Sequence, residues 1–162
     1  MTTVRTGTAT LVAAFAFLTS AAAAKAPCSL DRVDLRWADG RESFVVERAD
    51  TPETRARGLM FRPSLDMASG MLFIYDTPRQ PQFWMKNTLI PLDMIFADAT
   101  GTVTRVHSNA VPGDLTPIDG GEGVALVLEI NGGLAETLRI APGTEMRYPA
   151  IDQTKAAWPC DG

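Results

Sequence analysis

The sequence predicts an α+β domain, mainly β, built on a small curled or barrel-like sheet with two short helices. Three observations lead to this fold class. Many short apolar or alternating segments are separated by turn residues, as in sheet proteins. Two short segments carry helical start and stop signals. The strands also follow one another too closely for repeated βαβ units of roughly 30 residues each, so we expect an antiparallel or mixed sheet.

The chain begins with the features of a cleaved export signal. Arg5 supplies a positive charge, residues 11–18 form an apolar core, and residues 20–24 are small. This core is far shorter than the roughly 20 residues that span a bilayer. We therefore expect cleavage after Ala24, or alternatively after Ala26. The product is a periplasmic or secreted protein that keeps no membrane anchor.

We expect residues 27–162 to form a single globular domain, since a chain of this size suits one core. The formal charge of the whole chain is −4, and it becomes −5 or −6 depending on whether Lys25 is removed with the signal. Nucleic acids and anionic membranes attract proteins with a positive field. Neither is therefore an expected partner.

The sequence has two cysteines, Cys28 and Cys160, at opposite ends of the mature chain. In an oxidising compartment they are expected to form a disulfide that ties the termini together. The alternative is a redox-active pair, which the absence of a C-x-x-C spacing disfavours.

The first part of the mature chain predicts two strands and a helix. Residues 33–37 alternate apolar and polar, residues 39–40 are the Asp-Gly of a hairpin turn, and residues 43–49 resume strand character. Residues 51–53, Thr-Pro-Glu, are typical of an N-cap followed by a first turn, and Gly58 is typical of a helix C-terminus. We expect a helix of about two turns between them.

The remaining elements are predicted by the same signals. Residues 133–140 predict a second short helix. The long segment 108–123 predicts a loop that is either functional or mobile. Further strands are predicted over 71–75, 82–86, 92–97, 102–107, 124–130 and 145–148.

Residues 83–88, Phe-Trp-Met-Lys-Asn-Thr, bring an indole, a thioether, an ammonium, an amide and a hydroxyl together. Successive strand side chains point to opposite faces, so Trp84 and Lys86 share one face and their neighbours share the other. An aromatic platform beside an ammonium and an amide suits a sugar, a peptide or a small anion. The alternative is structural: Lys86 pairs with a buried carboxylate, and Asn87 and Thr88 make turn hydrogen bonds.

Two carboxylates, Asp93 and Glu129, lie within apolar strands. An ionised carboxylate on an apolar face must be paired, because unpaired burial is costly. Lys86, Arg57 and Arg62 are the candidate partners, and a structural ion pair is the favoured interpretation. The alternative is a perturbed catalytic pair in a pocket, formed by Asp93 with Lys86 or Glu129.

Methionine is plentiful, and thioethers are soft ligands that suit copper(I). A soft-metal site is favoured only weakly, because no M-x-x-M pattern repeats and methionine also fills irregular cores. The lone His107 closes a predicted strand and is more typical of a surface residue. The methionines of the mature chain are Met60, Met67, Met71, Met85, Met94 and Met146.

Three segments in series resemble one protein family. They are residues 57–62 (Arg-Gly-Leu-Met-Phe-Arg), residues 70–73 (Gly-Met-Leu-Phe), and residues 83–93, where Phe-Trp-Met-Lys-Asn-Thr precedes Pro-Leu-Asp. Over about 44–148 the chain is similar to the bacterial and archaeal family known as domain of unknown function 192. The resemblance implies a small, mainly β domain with a barrel-like core, often exported or membrane-tethered, and no established catalysis.

The chain departs from the family pattern in one loop. Many members have cysteines in the loop that corresponds to residues 111–123 here, whereas this chain has Gly-Asp-Leu at 113–115 and no cysteine in the loop. A role that depends on thiols in that loop is therefore not expected.

Three functional hypotheses follow. The first is an exported accessory domain without catalysis that binds a small polar ligand, a glycan or an envelope protein. The second is a cell-envelope hydrolase, although common hydrolase and nucleotide-binding motifs are lacking. The third is a soft-metal protein. No cofactor, catalytic residue or metal ligand is assigned. The ligand-binding candidates are Arg57, Arg62, Trp84, Lys86, Asn87, Thr88, Asp93 and Glu129.

Overall fold

A computed structural model describes residues 27–161, and the predicted export signal lies outside them. These residues form nine strands and two short helices. The strands are β1 (Arg32–Trp37), β2 (Gly40–Ala49), β3 (Ser69–Arg79), β4 (Gln82–Phe83), β5 (Leu92–Asp98), β6 (Val103–Ala110), β7 (Ile118–Asp119), β8 (Val124–Asn131) and β9 (Glu145–Arg147), and the helices are α1 (Pro52–Arg57) and α2 (Leu134–Leu138). No helix in this part of the chain is long and apolar enough to cross a membrane.

Seven strands form one mixed sheet in the order β6-β5-β8-β3-β2-β1-β9, and β4 pairs with β7 in a separate ribbon. Within the large sheet β2 and β3 run parallel, and the other neighbours run antiparallel. The two edges meet at one end, where Thr102 bridges Glu145 and the Val103 N–H donates to the Thr144 carbonyl at 2.7 Å. The sheet therefore curls into a half-barrel, which confirms the predicted mainly β, barrel-like fold.

Both faces of this sheet are buried, which explains why its central strands are apolar throughout. One face, which we call the inner face, receives side chains from all seven strands and packs against α2; Leu35, Leu72 and Leu128 belong to it. The opposite, outer face carries Phe73 and Met94. It is covered by the chain that follows α1, by the β4–β7 ribbon and by the segment after β4.

The first helix matches its sequence prediction because its signals are local. The Thr51 hydroxyl accepts from the Thr54 N–H at 3.2 Å, and the Thr54 hydroxyl accepts from the Thr51 N–H at 3.0 Å. The helix ends before Gly58, which takes a positive φ of 49°. Because the helix ends here, the chain that follows Gly58 runs across the outer face of the sheet, where Leu59 is buried.

The predicted disulfide between Cys28 and Cys160 is confirmed, and it encloses a sequence separation of 132 residues. Near Cys160 the tail carries Trp158, whose ring lies close to two guanidinium groups. Arg36 is 4.7 Å from the ring centroid and Arg147 is 4.6 Å from it. The tail is therefore anchored on the sheet by packing as well as by the covalent bond.

Three of the differences between the predicted and observed bounds bear on the site. The strand predicted over 82–86 ends at Phe83, because the chain turns at Asn87, whose φ is 56°. The strand predicted over 71–75 continues to Arg79 through a register irregularity that brings Arg79 opposite Val124. The loop predicted over 108–123 contains the end of β6 and all of β7. Each difference depends on pairing with a distant strand or turn.

Candidate functional site

A cavity of about 380 Å³ opens on the outer face between α1, β3 and the chain around β4. Three of its lining residues are cationic, four are aromatic, and one is a buried acid. We call it the arginine cavity. Those eight residues are Arg55, Arg57, Arg79, Phe73, Tyr75, Phe83, Trp84 and Glu129.

The arginines reach the cavity from two different elements. Arg55 and Arg57 come from α1, and Arg79 comes from the end of β3. Arg55 donates from Nη1 to the Ile74 carbonyl at 2.8 Å, which fixes the helix beside the strand. The guanidinium carbons of Arg55 and Arg79 lie 5.3 Å and 5.0 Å from the centroid of the Tyr75 ring. Two cations thus share one aromatic ring at the cavity wall.

None of these arginines forms an ion pair within residues 27–161. The ion pairs of this part of the chain involve other basic residues. Burial raises the pKa of Tyr75, and the charges of Arg55 and Arg79 oppose that rise. Within residues 27–161, no carboxylate therefore neutralises the guanidinium charges at the cavity.

Glu129 lies in β8 on the outer face, opposite Met71 of β3 and Met94 of β5. It is 4% exposed and lines the cavity. Its side chain makes no hydrogen bond or ion pair with another residue of the described chain. Burial raises the pKa of Glu129 to about 8. The residue is therefore an uncharged carboxylic acid at neutral pH.

Trp84 is 51% exposed and forms part of the cavity wall. The Nζ atom of Lys86 lies 5.2 Å from the centroid of its ring. The prediction that Trp84 and Lys86 share a face is confirmed. The structural alternative, in which Lys86 pairs with a buried carboxylate, is wrong: Lys86 is exposed and has no ion pair in the described chain.

Asn87 and Thr88 make the turn hydrogen bonds that the sequence analysis gave as the alternative to binding. The Asn87 carbonyl accepts from the Phe61 N–H at 2.8 Å, and the Thr88 N–H donates to the Met85 carbonyl at 3.1 Å. Asn87 is exposed, whereas Thr88 is buried and lines the arginine cavity. Both residues shape the site, and Thr88 also faces it.

Asp93 is fully buried and is held by backbone amides. One carboxylate oxygen accepts from the N–H of Asn109 at 2.6 Å and of Gly133 at 2.9 Å, and the other accepts from the N–H of Ala135 at 2.7 Å. The prediction of an ion pair with Lys86, Arg57 or Arg62 is therefore wrong. The backbone N–H groups at the start of α2 have no acceptor within the helix, so they donate to Asp93 and stabilise its negative charge in place of the predicted cation.

Asp93 and Glu129 also lie on opposite faces of the sheet. Glu129 pairs with Met94, so the neighbouring Asp93 must point to the inner face. The sheet separates the two carboxyl groups, and Asp93 does not line the arginine cavity. The hydrolase hypothesis required these groups, or Asp93 and Lys86, to converge in one cleft. This geometry does not provide that cleft.

Arg62 lies outside the cavity and pairs with Glu47, with Nη2 and Oε2 at 2.6 Å. Arg62 was predicted to pair with Asp93 or Glu129, and it pairs instead with Glu47 on the exposed side of β2. This ion pair stabilises the fold, and its contribution to the free energy of unfolding is smaller than that of a buried pair because both side chains are partly exposed.

Four of the six methionines lie on the outer face or at the arginine cavity, and two lie elsewhere. Met146 belongs to the inner face, and Met67 is 65% exposed. Met60 lines the arginine cavity, while Met71, Met85 and Met94 are buried on the outer face. Among residues 27–161 no three His, Cys, Asp or Glu side chains form a group that could hold a metal ion.

Part of the segment 108–123, predicted as a functional or mobile loop, lines a different groove. This groove has a volume of about 370 Å³ and includes Arg105, His107, Asp114 and Asp119. The loop is fastened to the segment after β4, because the Met85 N–H donates to the Asp114 carbonyl at 2.8 Å. The loop is therefore hydrogen-bonded to the segment that follows β4, but it contributes no residue to the lining of the arginine cavity.

Arg55, Tyr75 and Arg79 were not among the predicted ligand-binding residues. Arg55 lies in the last turn of α1, where a basic residue is common and carries no functional signal of its own. Tyr75 and Arg79 fall at and after the expected end of a strand, where Pro78 is typical of a loop. The continuation of β3 toward the cavity is set by its pairing with β8, which has no local signal.

Comparison with known proteins identifies the family of this chain. The model of the family DUF192, described as an uncharacterized ACR, matches residues 35–148. The chain belongs to the DUF192 family. The resemblance expected over 44–148 is thus confirmed, and the match begins earlier, within β1. The residues that line the arginine cavity, from Arg55 to Glu129, all lie inside the DUF192 match, whereas Cys28 and Cys160 lie outside it.

Two solved structures are similar to this DUF192 protein. A "putative transcription regulator" from Sinorhizobium meliloti 1021 is 40% identical, with a TM-score of 0.70 over 75% of this chain and 95% of that chain. A protein of unknown function from Novosphingobium aromaticivorans DSM 12444 is also 40% identical, with a TM-score of 0.71 over 79% and 97% of the two chains. No curated protein matches the chain.

Proposed function

We propose that this DUF192 protein is an exported accessory domain without catalysis that binds a small acidic sugar in the arginine cavity. One observation carries the proposal. Three arginines without a carboxylate partner in the described chain surround a cavity whose buried acid, Glu129, is uncharged at neutral pH.

The charge of the cavity favours an anion. The whole chain has a formal charge of −4, yet the lining of this cavity is cationic. Guanidinium groups bind carboxylates through paired, charge-assisted hydrogen bonds. A carboxylate is therefore the ligand group that best matches Arg57 and Arg79, which are both exposed at the cavity.

The aromatic side chains favour a ring next to that carboxylate. Trp84 lines the cavity and is about half exposed, and Tyr75 is half-buried beside the guanidinium groups of Arg55 and Arg79. The apolar face of a sugar ring packs on an indole, whose polar edge stays accessible to water. A sugar acid joins both kinds of group in one small molecule.

Export is supported by the predicted signal over residues 1–24 and by the disulfide between Cys28 and Cys160, since disulfides persist in oxidising compartments. A nucleic-acid role, as the name of the Sinorhizobium meliloti relative suggests for that protein, is not favoured here. The negative formal charge would repel the phosphate backbone.

The test is calorimetric titration of the mature protein with glucuronate, using glucose as the uncharged match. We expect glucuronate to bind and glucose to bind more weakly. Arg57→Gln and Arg79→Gln should each weaken glucuronate binding on the order of tenfold, which is the loss of one charge-assisted contact. Arg41→Gln is the matched control, because Arg41 is exposed on β2 away from the cavity.

Three results would overturn the proposal. An absence of glucuronate binding at millimolar concentration would count against the site. Equal affinity for glucose and glucuronate would remove the role of the arginines. An Arg41→Gln effect as large as that of the cavity variants would mean that only overall charge matters.

A further inference from the structure

The buried acid at the floor of the arginine cavity has no hydrogen-bond partner within residues 27–161. Glu129 is 4% exposed and lines the cavity. Within residues 27–161, the fully enclosed side-chain atoms without a hydrogen-bond partner belong to Arg147 and Trp158, so the carboxyl group of Glu129 reaches the open space of the cavity and is free to bond to a ligand there. Its strand neighbours Met71 and Met94 carry thioethers, which are weak acceptors.

Each element that lines the cavity brings other groups beside Glu129, and none of them makes a hydrogen bond with it within residues 27–161. Helix α1 presents Arg55 and Arg57, and β3 presents Tyr75 and Arg79; guanidinium groups only donate. On β5 the neighbour is Met94. The segment around β4 adds no titratable group to the cavity lining; its members there are Gln82, Phe83, Trp84 and Thr88.

We propose that Glu129 is a ligand-binding residue whose carboxylic acid donates a hydrogen bond to an oxygen of the bound anion, so that binding requires its proton. This inference rests on the proposed function. The ligand is then an anion that has an acceptor oxygen within reach of Glu129 and a negative charge close to the arginines. The contact joins O–H of the acid to a carboxylate oxygen, and no covalent bond changes.

The protonation state of Glu129 decides whether this residue favours or opposes binding of the anion. With its proton, Glu129 donates to the anion and adds no charge. Without it, the carboxylate repels the anion and competes for the same arginines. Burial raises the pKa of Glu129 to about 8. Affinity should therefore be flat below about pH 8 and weaken about tenfold per pH unit above it, because one proton is then taken up on binding.

The experiment measures glucuronate binding between pH 6 and pH 10 by calorimetry, with paired buffers of different ionisation enthalpy to count protons. At pH 9 the unmodified protein should take up close to one proton per ligand, and at pH 6 none. Glu129→Gln keeps a neutral donor, so it should bind with no pH dependence and no proton uptake. Glu129→Leu cannot donate, and its binding at pH 6 should be weaker by about tenfold.

Two control variants separate the possible causes. Tyr75→Phe removes the other titratable group that faces the cavity, and it should keep the pH profile of the unmodified protein. Circular dichroism and thermal melting at each pH confirm that the variants are folded. If Glu129→Leu does not fold, Glu129→Gln alone decides the question.

The outcomes distinguish this inference from the proposed function. An affinity that does not change between pH 7 and pH 10, or the same pH profile in Glu129→Gln, overturns the role of Glu129. If Arg57→Gln and Arg79→Gln still weaken binding in that case, the arginine cavity remains the binding site. If the arginine variants also bind normally, the proposed function fails as well.

Discussion

The backbone N–H of Phe61 donates a hydrogen bond to the carbonyl of Asn87 at 2.8 Å, and both residues adopt left-handed conformations, with φ of 64° and 56°. This bond joins the turn after α1 to the turn after β4. Asparagine tolerates that conformation, whereas it is strained for a bulky residue such as phenylalanine. The hydrogen bond between Phe61 and Asn87 holds together the two turns whose neighbouring residues line the arginine cavity.

Relief of this strain should stabilise the protein. Phe61 is 63% exposed, so its side chain buries little surface. Phe61→Gly removes the left-handed penalty and should raise the free energy of unfolding by about 1 kcal/mol. Urea denaturation measures it. Phe61→Ala is the control, because it removes the ring but keeps most of the strain. A loss of stability in Phe61→Gly would contradict the prediction.

The backbone amides bound by Asp93 predict a structural role for that carboxylate. Asp93→Ala leaves three N–H groups without their acceptor and should lower the free energy of unfolding by about 3 kcal/mol. Lys86→Met provides the comparison, and its stability should be unchanged because Lys86 is exposed and unpaired in the described chain. Equal losses in both variants would revive the Asp93–Lys86 pair.

A buried ion pair near the tail should be sensitive to removal of one partner. Arg147 donates to Asp34 from Nε at 3.0 Å and from Nη2 at 2.6 Å, and the two side chains are 8% and 16% exposed. Arg147→Met leaves Asp34 uncompensated and should cost about 3–5 kcal/mol. The double variant with Asp34→Leu should recover part of the loss. Thermal melting of the two variants tests this, and additive losses would count against it.

The disulfide should contribute strongly because it closes most of the mature chain. The chain-entropy account gives about 4–5 kcal/mol for a loop of this length, and the bond spans 132 residues here. Replacement of Cys28 and Cys160 by serine should lower the free energy of unfolding by up to that amount. Reduction of the unmodified protein should give the same value. A change below about 1 kcal/mol would show that packing of Trp158 alone holds the tail.

Glu129 should make the protein less stable as the pH rises from about 4.5 to about 8. The unfolded chain loses this proton near the ordinary pKa of 4.5, whereas the folded chain keeps it up to about 8. The unfolded state thus binds fewer protons in this window, so the free energy of unfolding falls with rising pH. Glu129→Gln removes that fall and should be more stable at pH 8 by about 3–5 kcal/mol.

Urea denaturation at pH 5 and pH 8 measures the difference between the unmodified protein and Glu129→Gln. Glu122→Gln is the matched control, because Glu122 is exposed and lies outside the arginine cavity. Parallel pH profiles in the unmodified protein and Glu129→Gln would mean that Glu129 is ionised and solvated in the folded state.

Local chemistry made several features predictable from the sequence. The start and end of α1 depend on Thr51, Thr54 and Gly58, which lie within eight residues of one another. The disulfide needed only two cysteines and an export signal to suggest it. The shared face of Trp84 and Lys86 followed from the alternation of an extended chain, even though β4 itself is short.

The arginine cavity could not be predicted in the same way. Arg55 and Arg79 belong to a helix and to a strand end that are far apart in the chain, and they meet over Tyr75 because β3 continues beyond its expected end. That continuation depends on pairing with β8, and its register is a property of the whole sheet.

By itself the sequence determined the family, the mainly β class, the first helix, the disulfide and the segment 83–88 as a region of interest. It could not distinguish Asp93 from Glu129, since each is an acid between aliphatic residues in a strand. Tertiary structure decided between them. The register of β5 and β8 turns Asp93 inward to the amides of α2 and Glu129 outward to the arginine cavity. Strand side chains alternate between faces, so one position in register separates a structural anchor from a candidate ligand-binding acid.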